Sequence, residues 1–363
     1  MATLVPDLPT PVALPEDELR VRAVPGRDAL AVRVSSEDGV AAVLALRPGA
    51  RGRVHRLVLS SGVGADAARA LLVAGGWDRL EDLRLQGNAV GPQRRRLDPG
   101  PDNILWFWTD GDDAVLRALQ DLPTLRRLVL NGNRLGAEGA ASLTGLTRLE
   151  RLELRGNALG SAGAASLGGL DGLRYLDCCD NGIGPEGAEA LGRLPALETL
   201  IASRNPVGDV GAAGLASAVG LQDLRLDGAG VGADGAEALA ALPLQELDLS
   251  DNAIGWRGAR AVAGLTGLRS LRLAGCDLGP RSIRALSGLA GLERLDLSRN
   301  RVDERAVAGL CRLQGLRYLD LRGTRVGAPA AAALAGLPRL ETLRLADQEL
   351  EADALAELRG DAA

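Results

Sequence analysis

Leu149-Glu150-Arg151-Leu152-Glu153-Leu154-Arg155-Gly156-Asn157-Ala158-Leu159-Gly160, continued by Ser161-Ala162-Gly163-Ala164-Ala165-Ser166-Leu167-Gly168-Gly169-Leu170, holds two hydrophobic periods in succession. Leu152 and Leu154 lie two apart, which places both side chains on one face of a strand. Ala164, Leu167 and Leu170 lie three apart, the spacing of the inner side of a short helix. Ala and Gly beside those leucines let the helix sit close to the sheet. Strand, helix and next strand running in one direction give an α/β fold with a parallel sheet and right-handed crossovers.

The same pattern restarts at Leu125, Leu173, Leu197, Leu221, Leu244, Leu268, Leu292, Leu316 and Leu340, and earlier at Leu80 and, more loosely, Val54. The regular step is 24 residues, with one step of 23 from Leu221 to Leu244. Twelve units of this kind stack into a curved array, strands on the concave side and short helices on the convex side. No unit can bury its leucines alone, so the units are stable only together. Asn88, Asn133, Asn157, Asn181, Asn205, Asn252 and Asn300 occupy the ninth position of their units. The chain turns there, and an amide side chain can satisfy buried backbone donors and acceptors on both sides. Gly62, Ala229, Cys276, Thr324 and Gln348 replace it elsewhere, and the Ala229 layer is expected to be a local weak point.

The pattern L-x-x-L-x-L-x-x-N-x-L-G-x-x-G-A-x-x-L-x-x-L resembles the ribonuclease-inhibitor-like class of leucine-rich repeats. Its Gly-Ala pair and 24-residue length look most like the bacterial GALA type, over residues 54–358. The resemblance implies a right-handed leucine-rich-repeat solenoid, a horseshoe with a concave parallel sheet, and a protein that binds other proteins. Some GALA-type relatives are plant-pathogen effectors with an N-terminal F-box that recruits ubiquitin-ligase machinery. Leu14-Pro15-Glu16-Asp17-Glu18-Leu19 resembles the start of an F-box, but Pro25-Gly26 interrupts an alternating stretch where its helix would continue.

Composition narrows the function. Aromatic residues make up 2% of the 363, so Leu and Ala must supply the core. A net charge of -5 gives no general pull toward nucleic acid or anionic membrane. No apolar run approaches the roughly 18 residues of a membrane span. Met1 to Leu19 has neither a basic residue nor an apolar core, so it does not read as a secretory signal. The four Cys form no disulfide framework and read as reduced thiols in a cytoplasm; export without a cleavable signal is the alternative. Lys is absent, which fits either a GC-rich genome or selection against lysine modification in a protein delivered to a host. The only His, His55, lies in the most degenerate unit, and no Cys or His cluster has metal-ligand spacing. Gly62-Val63-Gly64 imitates a dinucleotide fingerprint but is explained by repeat phase. The expectation is a non-enzymatic protein without cofactor, with a protein partner rather than a membrane, nucleic acid or small molecule.

Residues 1–52 read as an N-terminal cap of β-hairpin and helix, 53–345 as the repeats, and 346–363 as a charged C-terminal cap. Leu19, Val21 and Ala23 alternate, as do Leu30, Val32 and Val34, around Pro25-Gly26-Arg27-Asp28. Within the repeats, Leu80 and Leu125 are 45 positions apart where one unit takes 24, leaving an excess of 21 at about residues 92–112.

Two surfaces are candidate binding sites. Third, fifth and seventh positions flank the inward leucines and face the concave side. They include Arg127, Arg151, Arg155, Tyr175, Asp177, Ile201, Asp223, Arg225, Asp227, Glu246, Asp248, Arg272, Asp296, Tyr318 and Asp320. Early units are basic, middle units acidic and late units mixed. Both Tyr of the chain fall at third positions, and Tyr and Arg are frequent interface anchors. Alternatively, cross-strand Arg–Asp pairs simply keep the sheet polar. The second surface is the inserted loop, with Arg94, Arg95 and Arg96 followed by Trp106, Phe107 and Trp108, which either folds back on the concave face or grips a partner.

Overall fold

Alternating leucines make strands of three to six residues, and within each of the two compact parts of the chain the strands of successive repeats pair in register. The computed structural model describes residues 19–23, 30–46, 51–59, 63, 65–85, 94–97, 105–108, 119, 122, 124–345 and 348–350. The chain divides into two compact units, 1–181 and 182–363. Each is a leucine-rich-repeat solenoid.

In the first unit, β1 (Leu19–Ala23) pairs antiparallel with β2 (Leu30–Val34). The strands β3 (Val54–Leu59), β4 (Asp82–Leu85), β7 (Arg127–Val129), β8 (Arg151–Glu153) and β9 (Tyr175–Asp177) then follow in parallel. The insertion is a separate antiparallel pair, β5 (Arg94–Leu97) with β6 (Leu105–Trp108), rather than an irregular loop. In the second unit, β10 (Thr199–Ile201), β11 (Asp223–Arg225), β12 (Glu246–Asp248), β13 (Ser270–Arg272), β14 (Arg294–Asp296), β15 (Tyr318–Asp320) and β16 (Thr342–Leu345) are parallel. A last strand, β17 (Gln348–Leu350), returns antiparallel to β16.

The inward leucines are sealed: Leu149, Leu152, Leu154, Leu167 and Leu170 are fully buried, as are Leu221, Leu224 and Leu226. Each contributes roughly 1.5–3 kcal/mol of burial. Helices of six to nine residues, such as Gly160–Ser166 and Gly208–Leu215, cover the leucine layer. Neighbouring helices approach too closely for a side chain at one position. A Cβ on Gly211 would lie 2.7 Å from Val207 Cγ1 and 3.0 Å from the Pro185 backbone.

The asparagines form a ladder between layers. Asn157 Nδ2 donates to Leu130 O at 2.8 Å and Leu154 O at 2.7 Å, while its Oδ1 accepts from the N–H of Asn133 at 2.9 Å and Leu135 at 3.3 Å. Asn181, Asn252 and Asn300 repeat this double role. Asn205 accepts from Ile183 N–H at 3.0 Å. Asn88 lies outside the described residues. Where the next layer has no asparagine, the turn changes. Val207 N–H, facing the Ala229 layer, bonds instead to Asn205 O at 2.8 Å, and Ile254 N–H, facing Cys276, bonds to Asn252 O at 2.9 Å. These are three-residue turns centred on Pro206 and Ala253. The carbonyls of the Ala229 layer are taken up by neighbours, Ala202 O by Asn205 and Leu226 O by Asn252. The expected weak point is thus compensated locally.

Candidate binding surface

Third- and fifth-position side chains stand on the face of each sheet turned away from the helices, here the open face. Parallel register brings like positions together, about 4.8 Å apart from strand to strand. What those neighbours are therefore decides the electrostatics.

In the first unit, Tyr175 lies beside Arg151, whose guanidinium carbon stands 3.4 Å from the ring centroid. Arg151 is held in turn by Glu153, with Nη2–Oε1 at 2.9 Å. Burial, partly offset by the Arg151 charge, raises the Tyr175 hydroxyl above its ordinary pKa. The ring is thereby fixed as a neutral, cation-capped plate. Arg155 lies 3.8 Å from Asp180. The early basic residues converge on Asp82, which is 4% exposed: Arg56 Nε at 2.6 Å, Arg84 Nε at 3.2 Å and Arg127 Nη1 at 3.8 Å.

In the second unit, Tyr318 sits between Arg294 and Arg344, at 4.9 and 5.4 Å from the ring centroid. Its hydroxyl donates to Asp320 Oδ2 at 3.3 Å, and burial pushes its pKa up. Arg225 lies 3.2 Å from Asp223 and 3.6 Å from Glu246, and Arg272 lies 3.5 Å from Asp248. Asp227 accepts from the Ser203 hydroxyl. Ile201 is half-buried and in register with Arg225. Burial raises the Asp223 and Asp248 carboxyls. Burial acts the same way on Asp320, but two side-chain bonds from Arg322 Nε at 3.0 Å, with its backbone N–H, outweigh it and hold this carboxyl low.

Fifth-position aspartates have a structural duty that their exposure in the repeat pattern does not announce. Asp177, Asp248, Asp296 and Asp320 each accept the backbone N–H two residues on, from Cys179 at 3.1 Å, Ser250 at 2.9 Å, Ser298 at 2.8 Å and Arg322 at 3.0 Å. This is an Asx turn ending the strand. One carboxylate oxygen of each is committed to the fold; the second oxygen of Asp248 faces Arg272 at 3.5 Å, and that of Asp320 accepts from Arg322 and Tyr318. The acidic middle zone is therefore partly a strand-ending device.

Two features escaped the reading by position. Second positions form an edge ladder of opposite charges, Arg126 with Glu150, Arg269 with Glu293 at 3.1 Å and Arg317 with Glu341 at 2.6 Å, joined by a neutral amide pair in which Gln245 Nε2 donates to Gln222 Oε1 at 2.9 Å. The alternation of Arg and Glu every 24 residues was the available signal. His55 joins that edge, 3.5 Å from Glu81. Second, Arg20, Arg22 and Arg33 extend the open face onto β1 and β2, at the positions between the apolar residues of the hairpin.

The side chains of Arg94, Arg95, Arg96, Trp106, Phe107 and Trp108 lie outside the described residues; backbone register sets Arg94 opposite Trp108, Arg95 opposite Phe107 and Arg96 opposite Trp106. Among the described residues, no group of three His, Cys, Asp or Glu is placed to hold a metal ion, and no helix is long and apolar enough to cross a membrane.

Residues 123–183 match the family described as Leucine rich repeat, and residues 242–263 match a second family, Leucine Rich repeat. No curated protein matches the chain in sequence. Among solved structures, an internalin from Listeria monocytogenes is similar, at 20% identity and a TM-score of 0.56, covering 86% of this chain and 88% of that one. The likeness is one of fold, that of a leucine-rich-repeat protein.

Proposed function

We propose that the protein is a non-catalytic scaffold or adaptor that binds a protein partner through the open faces of its sheets. The observation that carries this reading is Tyr175 under Arg151. An aromatic plate held between a cation and its neighbours has little conformational freedom left to lose on binding. Tyr and Arg are also the side chains most often found at the energetic centre of interfaces. Tyr318 between Arg294 and Arg344 offers the same arrangement in the second unit. Leucine-rich-repeat folds are typically protein-binding, which supports the same assignment. Arg127, Arg155, Asp177, Ile201, Asp223, Arg225, Asp227, Glu246, Asp248, Arg272, Asp296 and Asp320 surround these anchors and give the face its charge pattern. The inserted strand pair, with its Arg and Trp residues, is assigned a supporting contact role on composition alone. The antiparallel strands and helix of residues 19–44 are assigned the role of a cap on the first layer, and the segment from residue 346 the role of a cap on the last. A cytoplasmic location belongs to the same proposal.

The test is affinity capture from a lysate of the native cell, with wild-type protein, Arg151→Ala/Tyr175→Ala, Arg225→Ala/Tyr318→Ala, and the helix-face control Arg281→Ala/Arg284→Ala. A protein retained by wild type and control but lost from either open-face variant is the expected result. Equal recovery by all four would remove the open face as the binding site.

A further inference from the structure

The helices of the second unit carry their exposed charges in two blocks. At the fourteenth and seventeenth repeat positions, helices Pro185–Gly192 and Ala233–Leu239 present Glu186, Glu189, Asp234 and Glu237. Between them, Gly208–Leu215 presents Val210 and Ala213. At the same positions the next three helices, Gly255–Val262, Pro280–Leu286 and Glu304–Leu310, present Arg257, Arg260, Arg281, Arg284 and Arg305. All of these side chains are exposed, and Glu304 is the single carboxylate within the three basic helices. The sign changes once, at a seam where Arg257 Nη2 lies 2.9 Å from Asp234 and 3.7 Å from Glu237. Trp256, 49% exposed, stands at that seam, and Ala233 holds the same thirteenth position on the neighbouring helix. Second positions of the same unit behave differently: Arg269, Glu293, Arg317 and Glu341 alternate and pair. Alternation is what stability favours, since each charge gains an opposite neighbour, whereas a block of one sign repels itself.

We propose that this helical face joins two copies of the chain about a two-fold axis parallel to the helices, lying between Ala233–Leu239 and Gly255–Val262. Rotation about that axis sets each acidic helix against a basic one or an arginine stem and keeps repeat positions level. Asp234 and Glu237 of one copy face Arg257 and Arg260 of the other, and Trp256 faces Ala233, whose methyl leaves room for the indole. One helix further out, the aliphatic stems of Arg281 and Arg284 cover Val210, which is 73% exposed in the single chain. Each contact occurs twice, as two-fold symmetry requires. Arg257 can serve both copies, because a guanidinium has five donors and each carboxylate several acceptor sites. An in-plane axis at right angles to the helices would set each helix against its own copy, arginine on arginine. Four helices, each about 12 Å long and about 10 Å apart, limit the contact to roughly 1,000 Å² in total, which fits a reversible dimer. The helices lie on the far side of the sheet from the open face, so self-association and partner binding do not compete.

The experiment is sedimentation velocity of the full chain over a concentration series at low and physiological salt. Wild type is expected to show a monomer–dimer equilibrium whose affinity falls roughly tenfold or more between the two salts. Asp234→Arg/Glu237→Arg and Arg257→Glu/Arg260→Glu are each expected to be monomeric, because each makes the seam uniform in charge. An equimolar mixture of the two is expected to regain the dimer, which also shows that both are folded. Trp256→Ser, which leaves every charge in place, is expected to weaken the dimer roughly tenfold. The proposal is overturned if wild type is monomeric at every concentration, if Trp256→Ser or either charge variant dimerises as wild type, or if the mixture stays monomeric. A monomeric chain that binds labelled polyglutamate, and loses that binding in Arg281→Glu/Arg284→Glu, would overturn it in favour of an acidic partner at the arginine block. None of these outcomes bears on partner capture by Arg151→Ala/Tyr175→Ala, so the scaffold reading is tested separately.

Discussion

Asp251 and Arg299, 48 residues apart in the chain, meet across Gly275 in a two-pronged ion pair, with Nη1–Oδ1 at 2.8 Å and Nη2–Oδ2 at 2.9 Å. All three occupy the eighth position of successive units, and all three have positive φ, between 56° and 63°. The glycine lets the pair form: a Cβ at residue 275 would lie 2.7 Å from Asp251 Oδ1.

Gly275→Ala should therefore cost about 1–2 kcal/mol for the left-handed backbone, with a further increment for displacing the carboxylate. Asp251→Ala in the same chain should recover the increment and leave the backbone cost. Urea midpoints of the two single variants and the double variant measure this. Strict additivity would show that the ion pair and the glycine are independent.

Asn157→Ala should destabilise by about 2–4 kcal/mol, because it strands buried N–H groups of Asn133 and Leu135 and the carbonyl of Leu130. Asn157→Asp keeps the acceptor but loses the donor and buries a charge. Its carboxyl will have a raised folded-state pKa, so its deficit should shrink as pH falls toward the ordinary carboxylate range. A deficit independent of pH would contradict the ladder assignment.

Two native aspartates should respond to pH with opposite sign. Burial raises Asp248, so the folded state holds its proton more tightly than the unfolded state, and stability falls as pH rises through the carboxylate range. Asp320 is held low by Arg322, so its contribution is present at neutral pH and is lost as pH falls. Asp248→Asn should accordingly gain on wild type at pH 7 and lose that gain near pH 3. Asp320→Asn should show a deficit at pH 7 that closes near pH 3. Unfolding free energies at the two pH values check both signs.

Cysteine reactivity should follow burial. Cys178, Cys179 and Cys276 are buried, and burial pushes the Cys276 thiol up to about 12 while it donates to Leu249 O at 3.0 Å. Iodoacetamide on the native protein at pH 8 should label Cys311 first and the other three only on unfolding. Rapid native labelling of Cys276, located by peptide mass spectrometry, would mean that its layer opens.

Much of this was legible in the chain. The leucines at 152 and 154 and their copies dictate strands because period two admits one buried face, and the asparagines dictate inter-layer bonding because a buried turn must satisfy its amides. These are local requirements repeated in phase, so one unit reads for all. Position within the repeat also identified the face on which Tyr175 and Tyr318 stand. Tertiary structure alone decided who their neighbours are. Arg151 rests on Tyr175, and three arginines converge on Asp82, because parallel register brings together residues of different units. That Asp177, Asp248, Asp296 and Asp320 end strands depends on backbone direction at the seventh position, which composition does not encode. The arginines of β1 and β2 precede the periodic units, and only strand pairing adds them to the open face.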